Sequence, residues 1–387
     1  MRDMNLYGIS GLHQYVDAEN FGLILDNVNA KYNNAQWRRY ASWGEPTNER
    51  EWKQGIKKTP ILVRASVLGT QSEKPQRSTQ GWEFYGGTLP QIGHGFNVTQ
   101  DDMIELRRVS KLNDMTFGES LVDCFISNSS NMLGGVHNEL TYMVMQAMST
   151  GEIHDIAVDG FRYDFKFEIP EENFVAPDSG KNWYIWDTTD PSNPKLIANT
   201  SADVIEDFLN FQKYYTDTLS LGVDHWKLSK RLLDMIITHP SVQAAYKANQ
   251  NYYNPSGVKT VPTEVLQWLH TGMGIWPFDV IDFKSRHEED GKPVTDAPAF
   301  DEHNLVAASS AYRPFEMKCM NSILVDRNKM GAHNDSVRTS FVEGRIAVQN
   351  VWQDRPMMNI VDCELYAGPV FNNVHDYGIA TVWAEQQ

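Results

Sequence analysis

The sequence is short of cysteine, of basic residues and of long apolar runs, and each shortage excludes a class of protein. Three cysteines, Cys124, Cys319 and Cys363, stand far apart in 387 residues. They exclude a disulfide scaffold and a four-cysteine metal site, and they read as free, buried thiols of a reducing compartment. No window of about 18 mainly apolar residues occurs, which argues against a membrane span. The opening MRDMNLYGIS has no apolar core of the kind a secretory signal needs. Lys and Arg number 34 against 50 Asp and Glu, a net charge of −16. Such a chain has no strongly basic domain for gripping a nucleic-acid backbone. The deficit is uneven: residues 1–116 carry 14 basic and 13 acidic side chains, leaving 20 against 37 for the rest.

Catalytic signatures are also missing. No HExxH, phosphate loop, dinucleotide fingerprint or GxSxG elbow occurs. Gly180-Lys181 lacks the upstream glycine of a phosphate loop, and Gly93-His94-Gly95-Phe96 is not a dinucleotide fingerprint, since Val98 stands where the third glycine belongs. His137 lies on a helical stretch and reads as structural. His287-Glu288-Glu289-Asp290 and Asp301-Glu302-His303-Asn304 read as solvated turns, because they lack the alternating ligands of a calcium loop. Cys124 has nothing beside it in sequence to depress a thiol pKa. Eleven tryptophans suit protein interfaces as well as sugar binding and decide nothing alone.

What is present is 41% apolar residues and 22% charged, enough for a large core and two or three structural units. Residues 1–57, rich in Asn, Gln, Tyr and Trp, read as an arm. Phe21, Leu23, Ile24, Leu25 and Val28 give it one weak amphipathic helix, too small a face to fold alone. Residues 59–67 (TPILVRASV) and 82–89 (WEFYGGTL) read as two strands around a polar tip, a long ribbon over 59–100 that needs another surface to rest on. Thr99 and Asp102 resemble a capping box opening a helix, with a break over 111–116. A second helix over about 119–149 carries an apolar seam at Leu133, Val136, Leu140, Met143 and Ala147. Asp159-Gly160 predicts a type I′ hairpin pairing Val158 with Phe161 and Ile156 with Tyr163, with Phe161, Tyr163, Phe165 and Phe167 on one face. Residues 170–200 read as loop. Helices are expected over 202–215, over 225–247 with an interruption at Pro240, and over 262–270. A hairpin turning near Asp290-Gly291, a short buried strand HNLVAASSA and three C-terminal strands complete an α+β pattern without repeats.

In that order, these patches resemble the major capsid proteins of tailed bacteriophages, the Hong Kong phage-type fold in its lambda-type branch. RASVLGTQSEKPQRSTQGWEFYGGTLPQIGHGFNVTQDDM resembles the family's extended loop. The long helix running into DIAVDGFRYDFKF resembles its spine helix and following hairpin. Trp186 and Asp190-Pro191 followed by ADVIEDF resemble the opening of its second domain, and DVIDFKSRHEEDGKPVTDAPAFDEHNLVAASSA resembles that domain's later strands. The patches span about 59–320.

The resemblance implies an N-terminal arm (1–57), an extended β-loop (58–101), a peripheral domain with spine helix and hairpin (102–200), an axial α/β domain (201–352) and C-terminal strands returning to the peripheral sheet (353–387). It implies a non-enzymatic subunit that self-assembles into pentamers and hexamers of an icosahedral shell in the virion. Assembly would take place in the host cytoplasm, with scaffold, portal and decoration proteins as partners and double-stranded DNA packaged without sequence-specific binding. It carries over no catalytic residue, cofactor or metal, and no Lys–Asn cross-linking pair. Arg64, Arg77, Trp82, Phe84 and Tyr85 of the β-loop are the expected contacts between subunits, with arm and ribbon covered by neighbouring copies. An encapsulin-like nanocompartment shell and a carbohydrate-active hydrolase with paired carboxylates are the alternatives.

Overall fold

In a computed structural model, the described residues are 18–57, 82–112, 117–156, 162–189, 194–253, 261–289, 292–295, 298–323, 337–355 and 357–383. The chain forms two compact units, one of residues 1–52, 86–144 and 315–370, the other of residues 53–85, 145–314 and 371–387.

The first unit is built on a six-stranded sheet. Its path runs Ala41–Trp43, Phe315–Met320, Met357–Phe371, Ile346–Asp354, Val337–Val342, and Gln91–Thr99 pairs with Met357–Phe371 off that path. The strand Gln91–Thr99 thus belongs to this sheet, antiparallel with Thr99 opposite Met358 and Gln91 opposite Tyr366, and is not part of a free ribbon as its sequence suggested. Alternation explains the register: Ile92 and Val98 are buried while Gly93 and Gly95 face outward, and Val361, Cys363 and Leu365 are buried likewise. The long helix, Phe117–Thr150, buries the expected seam of Leu133, Val136, Leu140, Met143 and Ala147; its first 28 residues belong to this unit. The helix Gln100–Leu112 starts with a true reciprocal cap. The Asp102 carboxylate accepts from the Thr99 N–H at 2.8 Å, and the Thr99 hydroxyl oxygen accepts from the Asp102 N–H at 3.3 Å.

The N-terminal segment corrects one expectation. The helix Ala18–Asn29, a short 3₁₀ turn and the one-turn helix Trp37–Tyr40 are covered by their own chain: Phe21, Leu25, Val28, Trp37 and Tyr40 are all buried. Phe21 meets Phe125 of the long helix at 5.8 Å between ring centroids, and the same helix packs on the strand Val337–Val342. No second copy is needed to cover these five, whereas Leu23 of the same helix stays 61% exposed.

The second unit holds a five-stranded sheet in the order Phe278–Ile281, His225–Ser229, Asn304–Ala308, Gly378–Thr381, Phe174–Val175. Helices Val204–Lys213, Lys230–Thr238, Pro240–Tyr253 and Pro262–Thr271 pack with it around Trp183, Phe208, Tyr215, Trp226, Leu232, Ile236 and Leu305. Residues 225–229 are a strand where a helix was expected. As a central strand it is covered on both faces, with Trp226, Leu228 and even Lys227 buried, so no period of two marks it. Pro240 does interrupt the helical stretch, by opening a new helix at its first position. Within the stretch read as loop, Tyr184–Asp187 and Lys195–Ala198 form a small antiparallel hairpin.

The hairpin that follows the long helix also differs, by one residue of register. Ile156 pairs with Arg162, not Tyr163. A one-residue slip exchanges the faces of a strand, and the observed choice satisfies both. Buried Ile153 lies opposite Phe165, Glu152 opposite Lys166 and His154 opposite Asp164. Residues 157–161, including Asp159-Gly160, lie outside the described residues. Beyond it, Arg286–Glu289 and Lys292–Thr295 pair as expected, with Glu289 opposite Lys292, and Asp290-Gly291 lie outside the described residues.

Candidate assembly surfaces

Two arrangements bear on what the molecule can do: a polar network that fixes the N-terminal segment, and the exposed ribbon. The network starts from a strained turn. Glu343 and Gly344, with φ of 53° and 67°, form the tight connection between the strands Val337–Val342 and Ile346–Asp354, closed by the Arg345 N–H donating to the Val342 carbonyl at 3.0 Å. Positive φ at both central positions is the type I′ pattern, where Asn-Gly is the favoured pair. Glutamate is kept there against local preference because its carboxylate is used. Oε1 accepts from Asn29 Nδ2 at 2.7 Å and from the Arg38 guanidinium at 2.5 Å, and Oε2 accepts from Trp43 Nε1 at 2.7 Å. These partners hold the Glu343 carboxyl below its ordinary range against the opposing effect of burial. Arg345 donates to the Gly44 carbonyl at 3.0 Å and lies over the Trp43 ring.

From Asn29 and Trp37 the network reaches the long helix. The His137 ring is buried, with Nδ1 3.2 Å from Trp37 Nε1 and Nε2 2.9 Å from Asn29 Oδ1. Tyr32 stacks on the same ring, and its hydroxyl donates to the Ser130 carbonyl at 2.7 Å. This approach requires Gly134, since a Cβ there would stand 2.6 Å from the Tyr32 hydroxyl oxygen. None of this was legible beforehand except that His137 would be structural, which it is.

The ribbon pairs Glu51–Lys57 with Trp82–Thr88. The Phe84 side chain is 76% exposed, the highest exposure among the large apolar residues described. Tyr85 is half-buried and its hydroxyl donates to the Phe371 carbonyl at 2.7 Å, as does Gln54 Nε2 at 3.2 Å. Trp82 opens the strand. Its side chain, and Arg64 and Arg77 entirely, lie outside the described residues. The structure therefore brings Trp82, Phe84 and Tyr85 onto one strand, with Arg64 and Arg77 outside the described residues.

Other groups are spent on the fold. Burial pushes the Cys363 thiol up to about 12 and raises Cys124 and Cys319, so none is a thiolate at neutral pH. A cavity of about 660 Å³ beside the helix Lys230–Thr238 is lined by Lys230, Arg231, Asp282 and Glu302. Lys230 pairs with Asp282 and Arg231 with Glu302, and Asp234 and Lys284 line the same cavity. Among the described residues no group of three His, Cys, Asp or Glu is placed to hold a metal ion.

No protein-family model and no curated protein matches the sequence. Solved structures do match. A protein provisionally assigned as the capsid protein of a prophage in E. coli CFT073 aligns over 95% of this chain and 99% of its own, with a TM-score of 0.51 and 11% identity. A phage-related protein from Bordetella bronchiseptica RB50 aligns over 93% and 96%, at 0.48 and 11%. The capsid of Myoviridae phage XM1 aligns over 90% and 92%, at 0.44 and 13%. At this identity the likeness concerns the fold alone: the chain has the fold of the prophage protein, the phage capsid fold.

Proposed function

We propose that this chain is the major head protein of a tailed bacteriophage, building pentamers and hexamers of an icosahedral shell around double-stranded DNA. The observation that carries the reading is the end-to-end match of fold to the prophage protein, over 99% of that chain and with nothing large left over in this one. The ribbon supports it. A two-stranded ribbon is marginal alone in water, and an aromatic ring as open as Phe84 is what a contact with another copy would cover. In this reading residues 1–57 act as arm and 58–101 as extended β-loop, whose last strand, Gln91–Thr99, is joined to the six-stranded sheet. The blocks 102–200, 201–352 and 353–387 serve as peripheral domain, axial domain and returning strands. Arg64, Arg77, Trp82, Phe84 and Tyr85 meet the neighbouring subunit. Scaffold, portal and decoration proteins are the further partners, the virion shell is the destination, and the subunit catalyses nothing.

Electron microscopy of the purified full chain, alone and co-expressed with a scaffold protein, tests this directly. Closed shells or ring-shaped capsomers are expected. Small globular monomers under every assembly condition would overturn it, and closed shells loaded with enzyme and never with DNA would move the chain to the nanocompartment class.

A further inference from the structure

His137 is a buried titratable group that the shell reading does not use, and its surroundings leave no room for a second proton. An indole N–H can only donate, so Trp37 fixes Nδ1 as the acceptor. Nε2 must then carry the ring proton and donate it to Asn29 Oδ1. Charging the ring requires a proton on Nδ1, and that requires the Trp37 indole to leave. The groups around it do not welcome the charge. The Arg38 guanidinium lies 4.7 Å over the neighbouring Trp37 ring, and the one carboxylate in the network, Glu343, is already bonded to Arg38, Asn29 and Trp43. Tyr32 covers the ring face, and His94 approaches the long helix at Gly135.

We propose that His137 is an acid-release latch: its neutral ring holds the segment Asn29–Trp43 on the long helix, and proton uptake by the ring frees that segment. Burial, with Arg38 adding to it, holds the docked imidazole down to about 4, whereas a solvated one titrates near 6.5. The sign follows. Between those values the undocked state binds a proton that the docked state lacks, so docking weakens as pH falls. From pH 7 to 4.5 the docked-to-undocked ratio drops roughly fiftyfold. Glu343 works in the same direction but lower. Its pKa is depressed from 4.5, so above pH 4.5 it contributes no more than about twofold. The window from 7 to 4.5 therefore isolates the histidine. The proposal does not rest on the shell reading.

Hydrogen exchange of the full-length unassembled subunit, corrected for intrinsic rates, measures this at pH 7, 6, 5 and 4.5. The strand Ile346–Asp354 of the same unit serves as internal reference. Protection over 29–43 is expected to fall roughly fiftyfold relative to that strand. In His137→Gln, which retains a donor and an acceptor but cannot titrate, it should change by no more than about twofold. His94→Gln should follow the wild type. An unchanged slope in His137→Gln, or a flat slope in His94→Gln, would overturn the latch. A wild-type profile flat down to pH 4.5 would overturn it without any variant, which covers the case in which His137→Gln does not fold.

Discussion

The segment 18–43 and the ribbon 51–57/82–88 look alike in sequence: both are polar, aromatic-rich and poor in a continuous apolar face. The structure treats them oppositely. Phe21, Leu25, Val28, Trp37 and Tyr40 are covered within the chain, whereas Phe84 stands open. The difference is not apolar content. The N-terminal segment has polar partners placed for it elsewhere in its unit, at Glu343, His137 and Ser130, and each makes burial of a neighbouring ring affordable by satisfying its donor. In the described part of the ribbon Trp52 is buried and the backbone carbonyl of Phe371 accepts from Tyr85 and Gln54, while Phe84 stays open.

Truncating one aromatic in each region tests that contrast most strongly. Trp37→Ala removes a fully buried indole and should cost about 3–5 kcal/mol of unfolding free energy, read by urea titration of the unassembled subunit. Phe84→Ala should stay within about 0.5 kcal/mol in the same measurement, while shell yield by sedimentation and microscopy falls sharply. A loss near that of Trp37→Ala for the Phe84 variant would erase the distinction. Glu343→Gln comes next, at about 1–3 kcal/mol, because the charged acceptor of Arg38 is lost from a half-buried site. Its pH dependence has a definite sign. A depressed carboxyl contributes stability that is fully present above 4.5 and lost as pH falls through the lowered value. The gap between wild type and Glu343→Gln should therefore close under acid.

The order of elements was legible because it rests on local chemistry. The Thr99–Asp102 cap, the apolar seam of the long helix, Pro240 and the strand Asn304–Ala308 each carry a signal within a few residues. What was not legible depends on distant partners. The strand His225–Ser229 is hidden because both its faces are buried, and the hairpin register turns on the pairs Glu152–Lys166 and His154–Asp164. Glu343 in a type I′ turn reads as a poor local choice until Asn29, Arg38 and Trp43 arrive from some 300 residues upstream. The same separation hid the covered state of the N-terminal segment. Of the contact residues chosen from sequence, Phe84 and Tyr85 could be followed into the structure, since both sit on a strand whose pattern was local.

A smaller effect separates capping from packing. Thr99→Ala removes one half of the reciprocal cap on an exposed helix and should cost about 1 kcal/mol, read as a lower midpoint in urea. If it cost as much as Trp37→Ala, the helix Gln100–Leu112 would be part of the core and not an appendage resting on Met103 and Ser110.

The smallest effect belongs to the hairpin after the long helix, where charge is arranged much as around Glu343 but in the open. His154 donates toward Asp164 at 2.8 Å and toward Glu152 at 2.9 Å, and these hydrogen bonds raise its pKa. The contribution is therefore present below about 6.5 and is lost as pH rises through the raised value, the reverse of the trend at His137. Because the ring is more than half exposed, water and salt screen the pairs. His154→Gln should shift the thermal midpoint less than Thr99→Ala does at pH 6, and not at all at pH 9. A large shift at both values would mean that the imidazole packs against something as a ring and does not act through its charge.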